Sequence, residues 1–392
     1  MKRIAILFEG SIYERKGLVN AVLERAKRMC RQEEYEVQVF CIMSYENMLV
    51  RCLRHSSKIP KRKSEIVDGI KVQILWKYFS LLDYVLANKL NRSMPVQTLW
   101  CKKVVNRFEH FDLLLAHSTL AAQIAMNVQR KYGTPFCVTW HGSDIHTLPF
   151  QNKKTCEQTR EIMKEAARNI YVSKALFETA KQISPATDSW MVAYNGVSEN
   201  FRNYSHEELL PIRHKYGLKE GDKVIGFVGG LVPVKNADKL PDIFSEIQKR
   251  GVTAKFWIIG DGKLFPIIQN KIQTQFPELD CTLWGNQPTE SMPDMMNCID
   301  ILLLPSKNEG LPLVTVEALR SGTHVVAANV GGIIEVVGPK NVINHGDDFV
   351  AQISQRCVEI CTTDEKVPQL PDCFDWDKTV AQELREYEKV LK

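Results

Sequence analysis

Ile301-Leu302-Leu303-Leu304-Pro305-Ser306-Lys307-Asn308-Glu309-Gly310-Leu311-Pro312-Leu313-Val314-Thr315-Val316-Glu317-Ala318 is the stretch on which the reading of the fold turns. It opens as a short unbroken apolar run, the mark of a strand buried on both faces. A polar loop follows, and Leu311 or Pro312 then opens a helix. Proline suits that position because its missing N–H has no partner in the first turn anyway. Such a junction leaves the backbone N–H groups of about 310–314, Pro312 excepted, unpaired, and the helix dipole makes them an anion site. Glu309 stands just ahead of the helix and repels a phosphate, so its natural partners are hydroxyl groups, which a carboxylate accepts strongly. Taken singly, Glu309 reads as a helix cap and Glu317 as a surface charge. The loop, the spacing and the neighbouring residues together favour a site.

Outward from this unit the chain alternates strands and helices almost throughout. Apolar runs at 3–8, 37–42, 112–116, 135–140, 169–172 and 190–193 read as strands. Helical spacing marks about 16–33 (Leu18, Val22, Ala26, Met29), 119–130 and 155–168. After a polar stretch at 198–222 the pattern restarts. Strands are expected at 223–228, 254–259, 281–284 and 299–304, and helices at 237–249, 264–275 and 311–321. Alternation of this kind means parallel sheets covered on both faces. The 392 residues suit two such domains, here 1–200 and 201–375. A last helix, 376–392, stands apart from any strand and is expected to pack back on the first domain.

In open parallel sheets, ligands sit at the carboxyl ends of the strands. The loops there are rich: Glu9-Gly10-Ser11, His141-Gly142-Ser143-Asp144, Asn195-Gly196-Val197, Gly229-Gly230 and Gly260-Asp261-Gly262. In the run from Phe227 to Asn236, glycines let the backbone approach a phosphate and Lys235 supplies a point charge for a diphosphate. A lysine there is by itself more often a solvated helix-start charge.

The composition excludes several classes. Hydrophobic residues make up 44% and charged residues 25%, ordinary values for a folded domain. A net charge of +5 on 51 basic and 46 acidic groups offers no footprint for nucleic acid. Basic residues do cluster at Arg51, Arg54, His55, Lys58, Lys61, Arg62 and Lys63, and again at Lys102, Lys103 and Arg107. A solvated loop is the ordinary reading, and a patch for an anionic membrane surface or acceptor is the sharper one. Eleven scattered cysteines without a C-x-x-C pair point to a reduced, cytoplasmic setting. No stretch of 18 apolar residues occurs, so membrane contact is expected to be peripheral. Neither G-x-G-x-x-G between strand and helix nor a Walker-type loop is present, which weakens a dinucleotide or P-loop reading. Asp375-Trp376-Asp377 has the form of a metal motif but lies where aspartate commonly caps a helix, and His141 and His146 lack matching ligands. No catalytic metal is expected.

Glu309-Gly310-Leu311-Pro312-Leu313-Val314, followed by Glu317-Ala318, resembles the signature of the retaining glycosyltransferase family 4. So do Ser321-Gly322-Thr323, Val325-Val326-Ala327, Gly331-Gly332-Ile333, Glu335-Val336-Val337, Gly260-Asp261-Gly262, Val172-Ser173-Lys174, Asn195-Gly196-Val197 and Phe374-Asp375-Trp376. The likeness covers the second domain almost wholly and the later half of the first. It implies a GT-B fold, two Rossmann-like doubly wound domains facing a central cleft. It implies a retaining sugar transfer from a nucleotide diphosphate sugar, UDP- or GDP-linked, to a glycan or lipid-linked acceptor in surface polysaccharide synthesis. No cofactor is expected beyond that cosubstrate. By the same resemblance Gly229, Gly230, Lys235 and the amides of Gly310, Leu311 and Leu313 with Pro312 hold the donor. Glu317 takes the ribose, Glu309 and His141 orient the sugar, and Gly10, Ser11 and Asp144 line the acceptor or diphosphate loop. Two departures stand out. The family arginine that partners the lysine is replaced by Gly230, and the first loop lacks the usual Gly-Gly. The alternatives are a GT-B epimerase, a nucleotide-sugar binder without transfer, and a dehydrogenase.

Overall fold

The strands form where uninterrupted apolar runs allow burial on both faces: Ile4 to Phe8 and Ile301 to Leu304 are almost wholly excluded from solvent. The structure, a computed structural model, describes residues 1–13, 17–46, 59–79, 95–363 and 365–392. It divides into two units. One comprises Met1–Val172, Leu176–Ala193 and Asp377–Lys392, and the other Ser173–Ala175 and Tyr194–Trp376.

The first unit carries eight strands: β1 (Lys2–Glu9), β2 (Tyr35–Glu46), β3 (Ser64–Val67), β4 (Ile70–Phe79), β5 (Leu113–Ala116), β6 (Phe136–Trp140), β7 (Arg168–Tyr171) and β8 (Trp190–Val192). Their order is β3-β4-β2-β1-β5-β6-β7-β8. Every pairing is parallel except β3 with β4. That hairpin is absent from the sequence reading, although its signal is present. Asp68 and Gly69 join the strands with φ of 49° and 80°, the double positive φ of a two-residue hairpin turn. The basic stretch before it is only partly visible. Arg51, Arg54, His55 and Lys58 lie outside the described residues. Lys61 donates to the Tyr78 hydroxyl, and Arg62 pairs with Glu65. Lys63 and Arg107 meet Lys71, Gln73 and Trp76 around a cavity of about 530 Å³.

The final helix, Trp376–Leu391, places Val380 and Tyr387 in the first unit's core. It is bound there by charge as well. Arg25 Nε reaches both Glu383 carboxylate oxygens at 3.0 and 3.1 Å, Arg28 holds Asp377, and Arg168 holds Glu386.

The second unit has six strands: β9 (Val224–Val228), β10 (Lys255–Ile259), β11 (Cys281–Gly285), β12 (Ile301–Leu304), β13 (His324–Ala328) and β14 (Val342–Ile343). They run in the order β11-β10-β9-β12-β13-β14, all parallel. The polar stretch at 198–222 is more than a break. It holds helix His206–Lys215, opened by a capping box between Ser205 and Glu208.

In both sheets the order in which strands are added reverses beside a central strand. β1 lies between β2 and β5, and β9 lies between β10 and β12. The loops leaving β1, β5, β9 and β12 therefore emerge at switch points, where open α/β sheets bind ligands.

Candidate active site

In the second unit the switch point joins two loops 70 or more residues apart in sequence. The loop after β9 is backed by the one after β10: the N–H of Gly229 donates to Ile259 O at 3.0 Å and that of Leu231 to Asp261 O at 2.9 Å. Gly260 has φ 131°, and a Cβ there would lie 2.0 Å from Gly229 O, so no side chain fits. A short turn, Pro233–Lys235, then presents the lysine. The loop after β12 is tied alongside by the Lys307 N–H, which donates to Val234 O at 2.8 Å.

This docking brings Lys235 Nζ to 2.6 Å from Glu309 Oε1, and the buried Ser306 hydroxyl donates to the same oxygen at 2.6 Å. Glu309 is only 8% exposed. Gly331, with φ 55°, lies so close beneath it that a Cβ would fall 1.9 Å from Glu309 O. Glu309 is thus neither a helix cap nor a solvated charge. Lys235 is an ion-paired cation, which the sequence reading did not foresee, having matched Glu309 with hydroxyl groups alone.

The helix opens at Leu313, with Pro312 at the N-cap, rather than at Leu311 or Pro312. The N–H groups of Gly310, Leu311, Leu313 and Val314 make no backbone hydrogen bond among the described residues. Glu317 lies on this helix, Leu313–Arg320, and its side-chain carboxylate forms no ion pair or hydrogen bond among the described residues. Burial lifts its carboxyl from the ordinary 4.5 to about 7. Gly230 is exposed, and a Cβ there would meet nothing nearer than 3.9 Å. Packing does not demand glycine where the resemblance implies arginine. Lys307 is exposed and makes no ion pair among the described residues.

In the first unit His141 is the first residue past β6. Its Nε2 lies 3.1 Å from Nδ1 of His117, the first residue past β5. Burial, foremost, holds both imidazoles well below their ordinary range, and the positive Arg25 adds to it. Asp144 accepts from the Gly142 N–H at 2.8 Å and the His141 N–H at 3.4 Å. Burial raises its carboxyl while these amides draw it down. Its carboxylate is committed to holding the His141 loop. Gly10 donates its N–H to Ile42 O at 3.2 Å, and the Ser11 hydroxyl is buried without a partner among the described residues. Glu14, Arg15 and Lys16 of this first loop lie outside the described residues.

His117 escaped the sequence reading, and Glu335 entered it only as part of a matched motif. His117 follows an apolar run just as His141 does, and that parallel was the available signal. Glu335 accepts from the Lys174 and Ala175 N–H groups and from the Tyr194 hydroxyl, which makes it a structural clasp within the second unit. Among the described residues no three or more His, Cys, Asp or Glu side chains converge as metal ligands, and Asp377 is paired with Arg28.

Residues 211–355 match the family described as Glycosyl transferases group 1. The chain is 25% identical over 317 residues to the glycosyltransferase TuaC of Bacillus subtilis (strain 168), named for teichuronic acid biosynthesis, covering 77% of this chain and 75% of that one. It is 26% identical over 304 residues to a 2-deoxystreptamine glucosyltransferase of Streptomyces kanamyceticus, covering 75% and 74%. Among solved structures, Anabaena Alr3699/HepE in complex with UDP superposes with a TM-score of 0.72 at 18% identity, over 99% of this chain and 100% of that one, a likeness of fold.

Proposed function

We propose that this chain, a glycosyltransferase of GT-B fold, moves a hexose-type unit from a UDP- or GDP-sugar to a glycan or lipid-linked acceptor with retention of anomeric configuration. The observation that carries the proposal is the cluster at the second unit's switch point. Lys235, Glu309 and Ser306 share one oxygen beside four unpaired amides at a helix start. A diphosphate would take the amides and draw Lys235 toward it, and Glu309, partly released, would accept from sugar hydroxyls. Charge builds on the leaving phosphate as the glycosidic bond breaks, and these donors are already aimed at it. The acceptor hydroxyl attacks the anomeric carbon from the same face, and its proton passes to the departing phosphate oxygen. No metal or further cofactor takes part in this scheme. Glu317 accepts from the ribose hydroxyls, which favours its ionised form. His141 orients the sugar, and Gly10 and Ser11 line the acceptor side.

The relatives named for teichuronic acid synthesis and for glucosyl transfer support a place in surface polysaccharide or glycoconjugate synthesis. No helix among the described residues is long and apolar enough to cross a membrane. The Lys63, Lys71 and Arg107 cluster supports peripheral contact with an anionic inner surface in a cytoplasmic enzyme.

A thermal-shift panel with UDP, GDP, ADP, CMP and NAD, each with and without EDTA, tests the donor site. A ligand at about 100 times its Kd adds roughly 2.7 kcal/mol, about 5–11 °C for a unit of this size. One nucleoside diphosphate should shift the midpoint by that much whether or not EDTA is present. A response to NAD alone, or to no nucleotide, would overturn the proposal.

A further inference from the structure

We propose that His117 is a positioning residue that fixes His141 as the tautomer protonated on Nδ1, so that His141 offers its ligand an N–H donor. The inference rests on the reading of His141 as the sugar-orienting residue.

Placement comes first. The His117 N–H donates to Leu7 O at 2.8 Å, which anchors its backbone to β1 at the first unit's switch point. His141 is held by the Asp144 carboxylate through its own N–H and that of Gly142. Neither backbone can drift far, and the rings meet with centroids 5.4 Å apart, tilted by 41°. At 3.1 Å the facing nitrogens share a hydrogen bond, so one carries hydrogen and the other a lone pair.

Two arrangements satisfy that bond, and burial decides between them. His117 is 1% exposed, and its Nε2 is buried without a hydrogen-bond partner among the described residues. If that nitrogen carried hydrogen, the protein would hold an orphaned buried N–H, which is rarer and costlier than an under-used acceptor. The hydrogen therefore sits on His117 Nδ1 and is donated to His141 Nε2. A neutral imidazole has one donor and one acceptor, so His141 must be protonated on Nδ1. Both rings are neutral, since burial and the Arg25 charge oppose protonation of either. Nδ1 of His141 has no hydrogen-bond partner among the described residues. A donor there suits a sugar or phosphate oxygen.

Nitrogen-15 NMR of the imidazoles in the full chain without substrate tests this, with His141 assigned by its loss in His141→Gln. The expected result is Nδ1 protonation of His141. In His117→Leu the His141 signal should become a tautomer mixture, and turnover should fall on the order of 10- to 10²-fold. His117→Asn places an amide N–H where Nδ1 stood and should restore both. His117→Gln, whose amide reaches the Nε2 position, should not. Nε2 protonation of His141 in the unsubstituted protein would overturn the inference, even if the variants failed to fold. So would an unchanged tautomer in His117→Leu. A shifted tautomer with unaltered turnover would leave the hold of His117 on His141 standing and remove His141 from the reaction.

Discussion

Lys235→Ala separates structural from catalytic use of one ammonium group. The substitution strips Glu309 of a partner 2.6 Å away and leaves its carboxylate, 9% exposed at the side chain, with the Ser306 hydroxyl. An exposed ion pair is worth up to about 1 kcal/mol, and breaking a buried one costs about 3–5 kcal/mol. With the lysine side chain 26% exposed, the pair lies between these limits, and about 1–3 kcal/mol is expected. For a unit of this size that lowers the melting point by roughly 2–12 °C. Turnover should fall much further, on the order of 10²–10³-fold, if Lys235 carries leaving-group charge. The discriminating variant is Lys235→Ala combined with Glu309→Gln. A neutral amide needs no counter-charge, so the pair should regain most of the lost stability while turnover stays low. Melting without ligand, and kcat from nucleotide release at saturating donor, measure the two quantities. If the double variant recovered turnover with stability, or if Lys235→Ala alone kept near-parental kcat, the catalytic assignment would be refuted.

Glu317 predicts a dependence on pH. Its carboxyl is raised from 4.5 to about 7 on folding, so the neutral form is favoured in the fold, and its stabilising contribution, complete below 4.5, is lost as pH rises through 7. Glu317→Gln should therefore melt above the parent at pH 8 and level with it at pH 4.5, while binding nucleotide more weakly; equal melting at both values would contradict the burial argument. Arg25 and Glu383 form an ion pair with both side chains 1% exposed, so Glu383→Ala should cost about 3–5 kcal/mol and lower melting by roughly 6–20 °C. A loss of only a degree or two would show that the final helix is held by its apolar face instead.

Much of the architecture was legible because parallel strands buried on both faces must be written as apolar runs. The runs at β1 and β12 show this, and the Glu309 to Ala318 segment carried the resemblance that the family match supports. The β3–β4 hairpin was missed although Asp68-Gly69 announces it, because the neighbouring basic residues drew a loop reading. Glu335 read as part of a signature, and its clasp on Lys174, Ala175 and Tyr194 was invisible, since those partners lie about 140 or more residues away.

Local chemistry is encoded locally, so the alternation of strands and helices, the loops at strand ends and the residue types placed there can be read along the chain. The sequence by itself could not say which loops meet. Lys235 and Glu309 are 74 residues apart, and His117 and His141 are 24 apart. Each pair is joined only because neighbouring parallel strands, β9 with β12 and β5 with β6, end at the same edge of a sheet. Strand order and register are set by long-range packing, and that packing turned a solvated lysine into half of an ion pair and a lone histidine into a dyad.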